Sequence, residues 1–303
     1  MSIRAWLVRR KIRSVFRPKE LETAPDEVRL KHFATALKAM EGSLPGAPKE
    51  ATIEKVETDT VRGEWISMPG AREDRILFYS HGGGYVWGSP KAYYLLGAML
   101  SKAMKARVFL LDYRLAPAHK CPSQIEDALA AYDWIQKENP GVPITMSGDS
   151  AGGGLTLAAA QAIRDSDRVP PKALALISPW LDVTGESETV QTNRDKDVML
   201  DAKGIGTAGQ VFAGDLDITD PRCSPLFGEQ AGLPPTIVQV GSEEILLGDS
   251  LRFAEKAREA GVDVTLDVWK KMHHVWHFSA QIVPEGKRAI RDMASFFEAR
   301  WGN

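Results

Sequence analysis

Short apolar runs alternate with stretches of helical periodicity along most of the chain. Six runs have the length and the aliphatic character of strands. They cover residues 75–80, 107–112, 143–147, 173–178, 236–241 and 262–269. Several are apolar enough to be buried on both faces, as the central strands of a parallel sheet are. Helical patterns lie between them, near residues 91–105, 123–138, 151–165, 248–261 and 285–301. This alternation predicts an α/β fold with a mainly parallel sheet.

Two segments depart from this alternation. The first forty residues have the spacing of apolar positions that is typical of helices. Residues 184–216 are polar and rich in aspartate, and are then dotted with glycine. We interpret this second segment as an excursion above the sheet that forms part of a lid.

Length and composition fit a folded enzyme. The chain has 303 residues, of which 44% are hydrophobic, and this is enough for one large domain with an appendage or for two modest domains. A formal net charge of −2 gives no reason to expect a nucleic-acid partner. The sequence shows neither a secretory signal nor a membrane span, so we expect a cytoplasmic protein without integral membrane contact. Cys121 and Cys223 match no metal spacing and are expected to be reduced, although a single disulfide stays open.

Charge is uneven at the beginning of the chain. Residues 1–19 contain no acidic residue and seven basic ones, namely Arg4, Arg9, Arg10, Lys11, Arg13, Arg17 and Lys19. One interpretation is a helix that lies on a membrane surface. The other is a solvated helix that docks apolar side chains onto the protein, namely Trp6, Leu7, Val15 and Phe16. We favour the second interpretation, because the apolar positions do not collect on one face.

The strongest local signal is the sequence Gly-Asp-Ser-Ala-Gly at residues 148–152, directly after one strand candidate and directly before a helical pattern. A strand-to-helix turn this tight strains its central residue, and the flanking glycines avoid clashes that a β-carbon would make. The turn lifts the hydroxyl of Ser150 to the carboxyl edge of the sheet, at the positive end of a helix. A Gly-x-Ser-x-Gly string alone is weak evidence, but its context predicts that Ser150 is a nucleophile.

A second signal is the sequence His-Gly-Gly-Gly-Tyr at residues 81–85, which ends another strand candidate. Consecutive glycines leave backbone N–H groups unshielded, and acyl transfer needs such donors because negative charge builds on the carbonyl oxygen. We therefore predict an oxyanion hole formed by the N–H groups of Gly83, Gly84 and Ala151. The spacing fits neither a phosphate-binding loop nor a dinucleotide fingerprint. We interpret His81 as a structural residue that orients the loop.

A serine nucleophile of this architecture requires a histidine base later in the chain. His273, His274 and His277 are the histidines that follow Ser150, and they come after the last strand candidate. A metal site is the alternative interpretation, but no cysteine or carboxylate accompanies them at ligand spacing. We therefore expect one of the three to be the base and the others to be packing residues.

Taken together, the motifs resemble those of the bacterial hormone-sensitive-lipase-like esterases, family IV of the bacterial lipolytic enzymes. The resemblance covers about 230 residues, from the strand at 75–80 to the end. Its pieces are HGGGY at 81–85, DYRLAPAHKCPSQIEDALAAYDWI at 112–135, GDSAGG at 148–153, SPWLD at 178–182 and HVW at 274–276. In that family the corresponding histidine is catalytic, so the resemblance assigns the base to His274 and leaves His273 at a variable position.

The acid of the triad is where the sequence departs from its relatives. They usually carry aspartate in an Asp-x-Leu segment, whereas this chain reads Gly-Ser-Glu-Glu-Ile-Leu-Leu-Gly-Asp at residues 241–249. The resemblance places Glu244 on the acid position, and some relatives are similar in using glutamate. Glu243 stays an alternative, and we interpret Asp249 as a helix cap. Either carboxylate can accept the far imidazole N–H and stabilise the imidazolium.

The resemblance implies an α/β-hydrolase fold with about eight strands flanked by helices and topped by a helical cap. We assign the cap to residues 1–48 with 184–216, and the catalytic domain to residues 49–303. The implied activity is hydrolysis of small short- to medium-chain acyl esters through an acyl-enzyme, without a cofactor or a metal, and a homodimer stays open. A lactonase, an amidase or a carbohydrate deacetylase would use the same triad. A non-catalytic ligand receptor on this fold is disfavoured, because the chain keeps Ser150, His274 and an acid.

Overall fold

An eight-stranded sheet runs through the protein in the computed structural model, which describes residues 1–21, 24–43 and 45–301. The strands are β1 (Thr52–Glu57), β2 (Arg62–Ser67), β3 (Arg72–Ser80), β4 (Ala106–Leu111), β5 (Ile144–Asp149), β6 (Leu174–Ile177), β7 (Thr236–Gly241) and β8 (Val264–Trp269). Their order across the sheet is β1-β2-β4-β3-β5-β6-β7-β8. The pairs β1–β2 and β2–β4 are antiparallel, and the other five pairs are parallel. The predicted α/β fold with a mainly parallel sheet is confirmed.

Helices lie before the first strand in the chain, cover both faces of the sheet, and fill the long connection between β6 and β7. They are α1 (Ile3–Phe16), α2 (Asp26–Ser43), α3 (Tyr94–Met104), α4 (Ser123–Glu138), α5 (Ala151–Arg164), α6 (Glu188–Thr192), α7 (Gly204–Ala213), α8 (Leu247–Glu259) and α9 (Pro284–Trp301). Alternate residues of β3 belong to different cores, because successive side chains of a strand point to opposite faces. Ile76 and Phe78 pack with α4, α5 and α8, whereas Leu77 and Tyr79 pack with α3 and α9. The carboxyl ends of β3, β5 and β7 therefore meet at one edge of a sheet that is buried on both sides.

The structure adds two strands that the hydrophobic pattern did not predict. All six strand candidates are present with small shifts of their ends, but β1 and β2 lie in a stretch to which we had assigned no element. Five of the six positions of β1 are exposed, so its sequence shows no alternation of apolar and polar residues. Backbone pairing in register with β2 holds it at the edge of the sheet.

The N-terminal helix docks differently from the way its apolar residues suggested. Trp6 and Leu7 are 47% and 53% exposed, so the prediction that they dock onto the protein is wrong for these two residues. Ala5 and Phe16 are the buried members of α1, and Val15 packs beside Phe16. The helix buries Ala5 and Phe16 and leaves the large apolar side chains of Ile3, Trp6 and Leu7 in solvent.

Three arginines at intervals of four residues fix this helix to the rest of the protein. Arg9 donates to the carbonyl oxygen of Lys271 at 2.8 Å, and Arg13 donates to that of Asp195 at 3.1 Å. Arg17 donates to the carbonyl oxygen of Asp197 at 2.9 Å. The intervals place the three guanidinium groups on one face of the helix. Those of Arg13 and Arg17 reach main-chain acceptors in the segment that follows α6, and that of Arg9 reaches the turn after β8.

The predicted division into a cap (1–48 with 184–216) and a catalytic domain (49–303) stays a prediction. Residues 22, 23, 44, 302 and 303 of those ranges lie outside the described residues. Within the described residues, Cys121 and Cys223 are buried and unbridged, and no helix is long and apolar enough to cross a bilayer.

Candidate active site

Ser150 lies in the turn between β5 and α5, with a φ of 54° and a ψ of −122°. This left-handed conformation is strained for a residue with a side chain. A β-carbon on Gly148 would lie 2.2 Å from the carbonyl oxygen of Gly152, and one on Gly152 would lie 2.1 Å from that of Ser80. The two glycines therefore allow the chain to turn against neighbouring backbone. Ser150 is 8% exposed and lies at the carboxyl edge of the sheet, as predicted from the sequence.

Glu244 and His274 form a buried hydrogen-bonded pair near the same edge. The Nδ1 atom of His274 lies 2.8 Å from Oε2 of Glu244, and the carboxylate is fully buried. The other carboxylate oxygen, Oε1, accepts the N–H of Gly241 at 2.6 Å and the hydroxyl of Ser178 at 2.8 Å. Both oxygens of Glu244 thus have donors, and His274 is held in a fixed orientation.

Glu243 and Asp249 point elsewhere. Glu243 forms an ion pair with Arg9 of α1. Asp249 lies inside α8 and accepts the backbone N–H groups of Leu181 and Asp182, both at 3.0 Å. The interpretation of Asp249 as a helix cap is therefore wrong. Its carboxylate anchors the loop after β6. Of the carboxylates at 243, 244 and 249, Glu244 is the one that contacts His274.

The pKa of His274 reflects two opposed effects. Burial alone lowers the pKa of this imidazole, because the protein solvates the cation less well than water does. The hydrogen bond and the negative charge of Glu244, with smaller contributions from Asp197 and Asp149, outweigh burial and raise the pKa above its ordinary value of 6.5. The imidazole is therefore a stronger base than an isolated histidine, which suits a group that takes a proton from a hydroxyl.

The other histidines predicted to be packing residues are buried and uncharged. Burial lowers the pKa of His273 and of His277 to about 3. His277 pairs through Nε2 with the side-chain oxygen of Gln239 at 2.8 Å, whereas His273 lines the cavity next to His274. Burial also lowers the pKa of His81 to about 4; its ring stacks on Tyr113, with ring centroids 4.1 Å apart. Within the described ranges, no group of three or more His, Cys, Asp or Glu side chains could hold a metal ion.

The glycine loop after β3 lies over the turn that holds Ser150. Gly83 and Gly84 have φ values of 117° and 63°, which a residue with a side chain rarely adopts. The N–H of Gly82 is already used, because it donates to the hydroxyl of Tyr93 at 2.8 Å and to Oδ1 of Asp149 at 3.1 Å. Ala151 is the first residue of α5, so its N–H has no acceptor within the helix.

Ser150, His274 and the two predicted oxyanion glycines line one cavity of about 330 Å³. Its other lining side chains are largely apolar, and many come from α1, α2 and the segment from 199 to 208: Val8, Ile12, Phe16, Phe33, Leu37, Met199, Leu200, Ile205 and Ala208. In the part of the chain that the structure describes, the Ser150 hydroxyl and the His274 ring are not hydrogen-bonded to each other. The segments predicted as a cap therefore share one pocket with the predicted catalytic residues.

Comparison with known proteins agrees with this fold. The family described as the alpha/beta hydrolase fold matches residues 77–278, which is about two thirds of the chain. The chain belongs to the α/β-hydrolase family. This hydrolase is 38% identical over 240 residues to an acetyl-hydrolase of Streptomyces hygroscopicus, with 79% of this chain and 80% of the relative covered.

Solved structures place the hydrolase more narrowly. An esterase of the bacterial hormone-sensitive lipase family is 36% identical, with a TM-score of 0.88 over 100% of this chain and 99% of that one. A second esterase, whose crystal was soaked with p-nitrophenyl butyrate, is 34% identical, with a TM-score of 0.90 over 99% of both chains. The resemblance to the hormone-sensitive-lipase-like esterases is confirmed, and the hydrolase is a serine hydrolase of the carboxylesterase type.

Sequence reasoning missed two carboxylates beside this site of the hydrolase. Asp149 is buried and accepts the hydroxyls of Tyr79 and Tyr93, and burial raises its pKa to about 6. Its position next to Ser150 was a signal that could have found it. Asp197 is 2% exposed and accepts the N–H of Ile245 at 2.9 Å. Ile245 is the residue after Glu244, which binds His274. No pattern in the sequence indicates Asp197, because its partner lies 48 positions away.

Proposed function

We propose that this hydrolase cleaves short- to medium-chain carboxylic esters with Ser150 as nucleophile, His274 as base and Glu244 as the acid of the triad. The single observation that carries the proposal is the buried hydrogen bond between Glu244 and His274, because His274 and Ser150 line the same cavity. A fully buried carboxylate on one imidazole nitrogen leaves the other nitrogen free to accept a proton. This is the arrangement that activates a serine hydroxyl.

The first half of the reaction acylates Ser150. Its Oγ forms a bond to the ester carbonyl carbon while Nε2 of His274 takes the hydroxyl proton. The resulting oxyanion is stabilised by the N–H groups of Gly83, Gly84 and Ala151. The tetrahedral intermediate then breaks its bond to the alkoxy oxygen, and Nε2 returns the proton to the departing alcohol. Hydrogen bonds between nucleophile and base commonly tighten only when substrate is bound, so the hydroxyl needs to turn toward Nε2 in this step.

The second half releases the acid. Nε2 of His274 takes a proton from water, and the water oxygen forms a bond to the acyl carbon. The bond between that carbon and Oγ breaks, and the proton returns to Ser150. Glu244 accepts the N–H on Nδ1 throughout and stabilises the imidazolium that forms twice in each cycle.

The size and lining of the cavity support small esters as substrates. A volume of about 330 Å³ is near the lower end of small-molecule sites, which span roughly 300–1,000 Å³. Its apolar lining favours an acyl chain of roughly two to eight carbons over a charged group. One relative is named as an acetyl-hydrolase, and the crystal of another was soaked with a butyrate ester, so both names mention short acyl groups.

The test is a substrate panel on the wild-type protein and on Ser150→Ala. Nitrophenyl esters of increasing acyl length should be cleaved fastest at short to medium length, and Ser150→Ala should retain less than about a thousandth of the rate. A sulfonyl fluoride should label Ser150 stoichiometrically. A label on another residue would overturn the nucleophile. Faster cleavage of lactones or anilides would reassign the bond that is cleaved, and efficient hydrolysis of emulsified long-chain triglyceride would overturn the proposed chain length.

A further inference from the structure

The outward face of α1 presents large apolar side chains to solvent. Ile3 is 79% exposed, Leu7 is 53% exposed and Trp6 is 47% exposed. Ile282, 55% exposed, lies just before α9, where the hydroxyl of Ser2 binds the carboxylate of Glu285 at 2.8 Å. Isolated exposed apolar residues are ordinary on proteins, but three on the first two turns of one helix, with a fourth near its start, form a patch.

Exposed cations lie on the same helix and on a turn that it contacts. Arg4, Arg10 and Lys11 lie on the exposed part of α1. Lys270 and Lys271 are exposed on the turn after β8, and Arg9 binds the carbonyl oxygen of Lys271.

Among the described residues, the carboxylates of Glu243 and Glu285 contact α1 and its N-cap, and each is already paired. Glu243 forms an ion pair with Arg9, which faces inward, and Glu285 binds Ser2 at the helix start. Arg9, Arg13 and Arg17 anchor the helix, whereas Arg4, Arg10 and Lys11 are exposed. The basic residues at the beginning of the chain therefore divide into an inner, structural set and an outer, exposed set.

We propose that this patch and its cations form a surface that docks the protein peripherally on an anionic lipid bilayer. We call it the N-terminal face: Ile3, Trp6, Leu7 and Ile282 with Arg4, Arg10, Lys11, Lys270 and Lys271. Apolar side chains next to cations bind such bilayers by shallow insertion together with attraction to anionic headgroups. Side chains as exposed as Ile3 protrude from the protein, which suits a deformable headgroup layer better than a preformed protein groove.

The N-terminal face adjoins the cavity of the predicted catalytic residues. Val8 and Lys11 of α1 and Ile282 all line the cavity that contains Ser150. A bilayer docked on this face would lie next to these lining residues, so an ester dissolved in the membrane surface would have a short path to the serine. This consequence rests on the proposed function, whereas docking itself does not.

The test measures vesicle binding directly. The full chain is sedimented with vesicles of phosphatidylcholine alone and of phosphatidylcholine with phosphatidylglycerol. We expect binding to the anionic vesicles, little binding to the neutral ones, and release in high salt. The double variant Arg4→Gln/Arg10→Gln should lower the partition coefficient by roughly thirtyfold, because each basic residue near an anionic surface contributes about fivefold. Ile3→Ser should lower it severalfold.

Matched variants elsewhere on the surface provide the controls. Val169 is 67% exposed, so Val169→Ser removes a comparable apolar side chain, and Lys137→Gln/Lys172→Gln removes two exposed charges. Neither should change vesicle binding. Quenching of tryptophan fluorescence by brominated lipid should fall strongly in Trp6→Phe, which localises contact to α1. Cleavage of a soluble nitrophenyl ester should stay at the wild-type rate in Ile3→Ser, so a failure of docking and a failure of the proposed function are distinguishable.

Three outcomes would overturn the proposal. The first is failure of the wild-type protein to bind anionic vesicles at low salt. The second is an equal loss of binding in the test and control variants, which would indicate non-specific attraction. The third is a stable dimer in sedimentation velocity that Ile3→Ser converts to monomer, which would assign the N-terminal face to a second copy of the chain.

Discussion

Replacing Glu244 by glutamine tests the imidazole pair without changing its size. In the wild-type protein, Oε1 accepts two donors, the N–H of Gly241 and the hydroxyl of Ser178, and Oε2 accepts Nδ1 of His274. The N–H of Gly241 cannot rotate, so the carbonyl oxygen of the glutamine must take the place of Oε1. The NH₂ group then faces Nδ1 of His274 and can only donate to it.

This orientation forces the wrong tautomer. Nδ1 becomes the acceptor, the proton moves to Nε2, and Nε2 can no longer take the proton of Ser150. The corresponding change in a serine protease lowers turnover by about 10⁴. We expect a loss of about two to four orders of magnitude in kcat for Glu244→Gln, or about 3–5 kcal/mol in the activation free energy. Glu244→Asp keeps the charge but shortens the reach, and should retain partial activity.

Glu243→Gln is the matched control, because it changes the neighbouring residue in the same way. Its carbonyl oxygen can still accept from Arg9, and both side chains of that pair are partly exposed, so kcat should fall less than tenfold. Turnover of a soluble nitrophenyl ester is measured for each variant, with circular dichroism to confirm folding. The reasoning is refuted if Glu243→Gln is the more damaging change, and neither residue is the acid if both changes are mild.

Four further outcomes follow from the same geometry. In the proposed mechanism the neutral imidazole is the base, so kcat/KM should rise with pH through the raised pKa of His274, with its acidic limb above pH 6.5. Asp197→Asn should move that limb to lower pH, since the Asp197 charge helps to raise this pKa. His273→Ala should keep activity within about tenfold of wild type in the same assay, whereas His274→Ala should lose at least about a thousandfold. In urea unfolding, Gly152→Ala should lower the free energy of unfolding by about 3 kcal/mol or more, because its β-carbon would lie 2.1 Å from a backbone carbonyl oxygen. Gly46→Ala, with nothing within 4 Å, should be close to neutral.

The hydrophobic pattern predicted the strands that are buried throughout and missed β1, which is held by its backbone pairing. The residues of β5, β6 and β7 are buried throughout, and Asp149 at the end of β5 is the one charged residue in these three strands. β1 has no buried residue, and its pairing with β2 depends on main-chain groups that every sequence possesses. The hydrophobic pattern carries no information about such a strand.

The site shows the same division. Ser150 and the glycine loop can be recognised from the local sequence, because a strained turn and an exposed row of N–H groups need glycines at fixed offsets. The choice between Glu243 and Glu244 rested on resemblance, and the structure separates them by their partners, Arg9 and His274. Side-chain direction within a loop is decided by tertiary contacts, so no spacing rule could have assigned it. The docking of α1 could not be predicted either, because hydrogen bonds from guanidinium groups to carbonyl oxygens leave no pattern of apolar residues in the sequence.

The use of carbonyl oxygens as acceptors for α1 has a consequence for how this protein can diverge. Arg13 and Arg17 donate hydrogen bonds to the main-chain oxygens of Asp195 and Asp197, and the side chain of Asp195 is not part of these hydrogen bonds. Mutations that change exposed side chains at 194 and 195 should therefore accumulate without loosening the helix. The arginines themselves have less freedom, because a lysine presents a single ammonium in place of the planar fork. Among relatives that keep this arrangement, the helix should retain arginine at these positions while the loop beneath it varies.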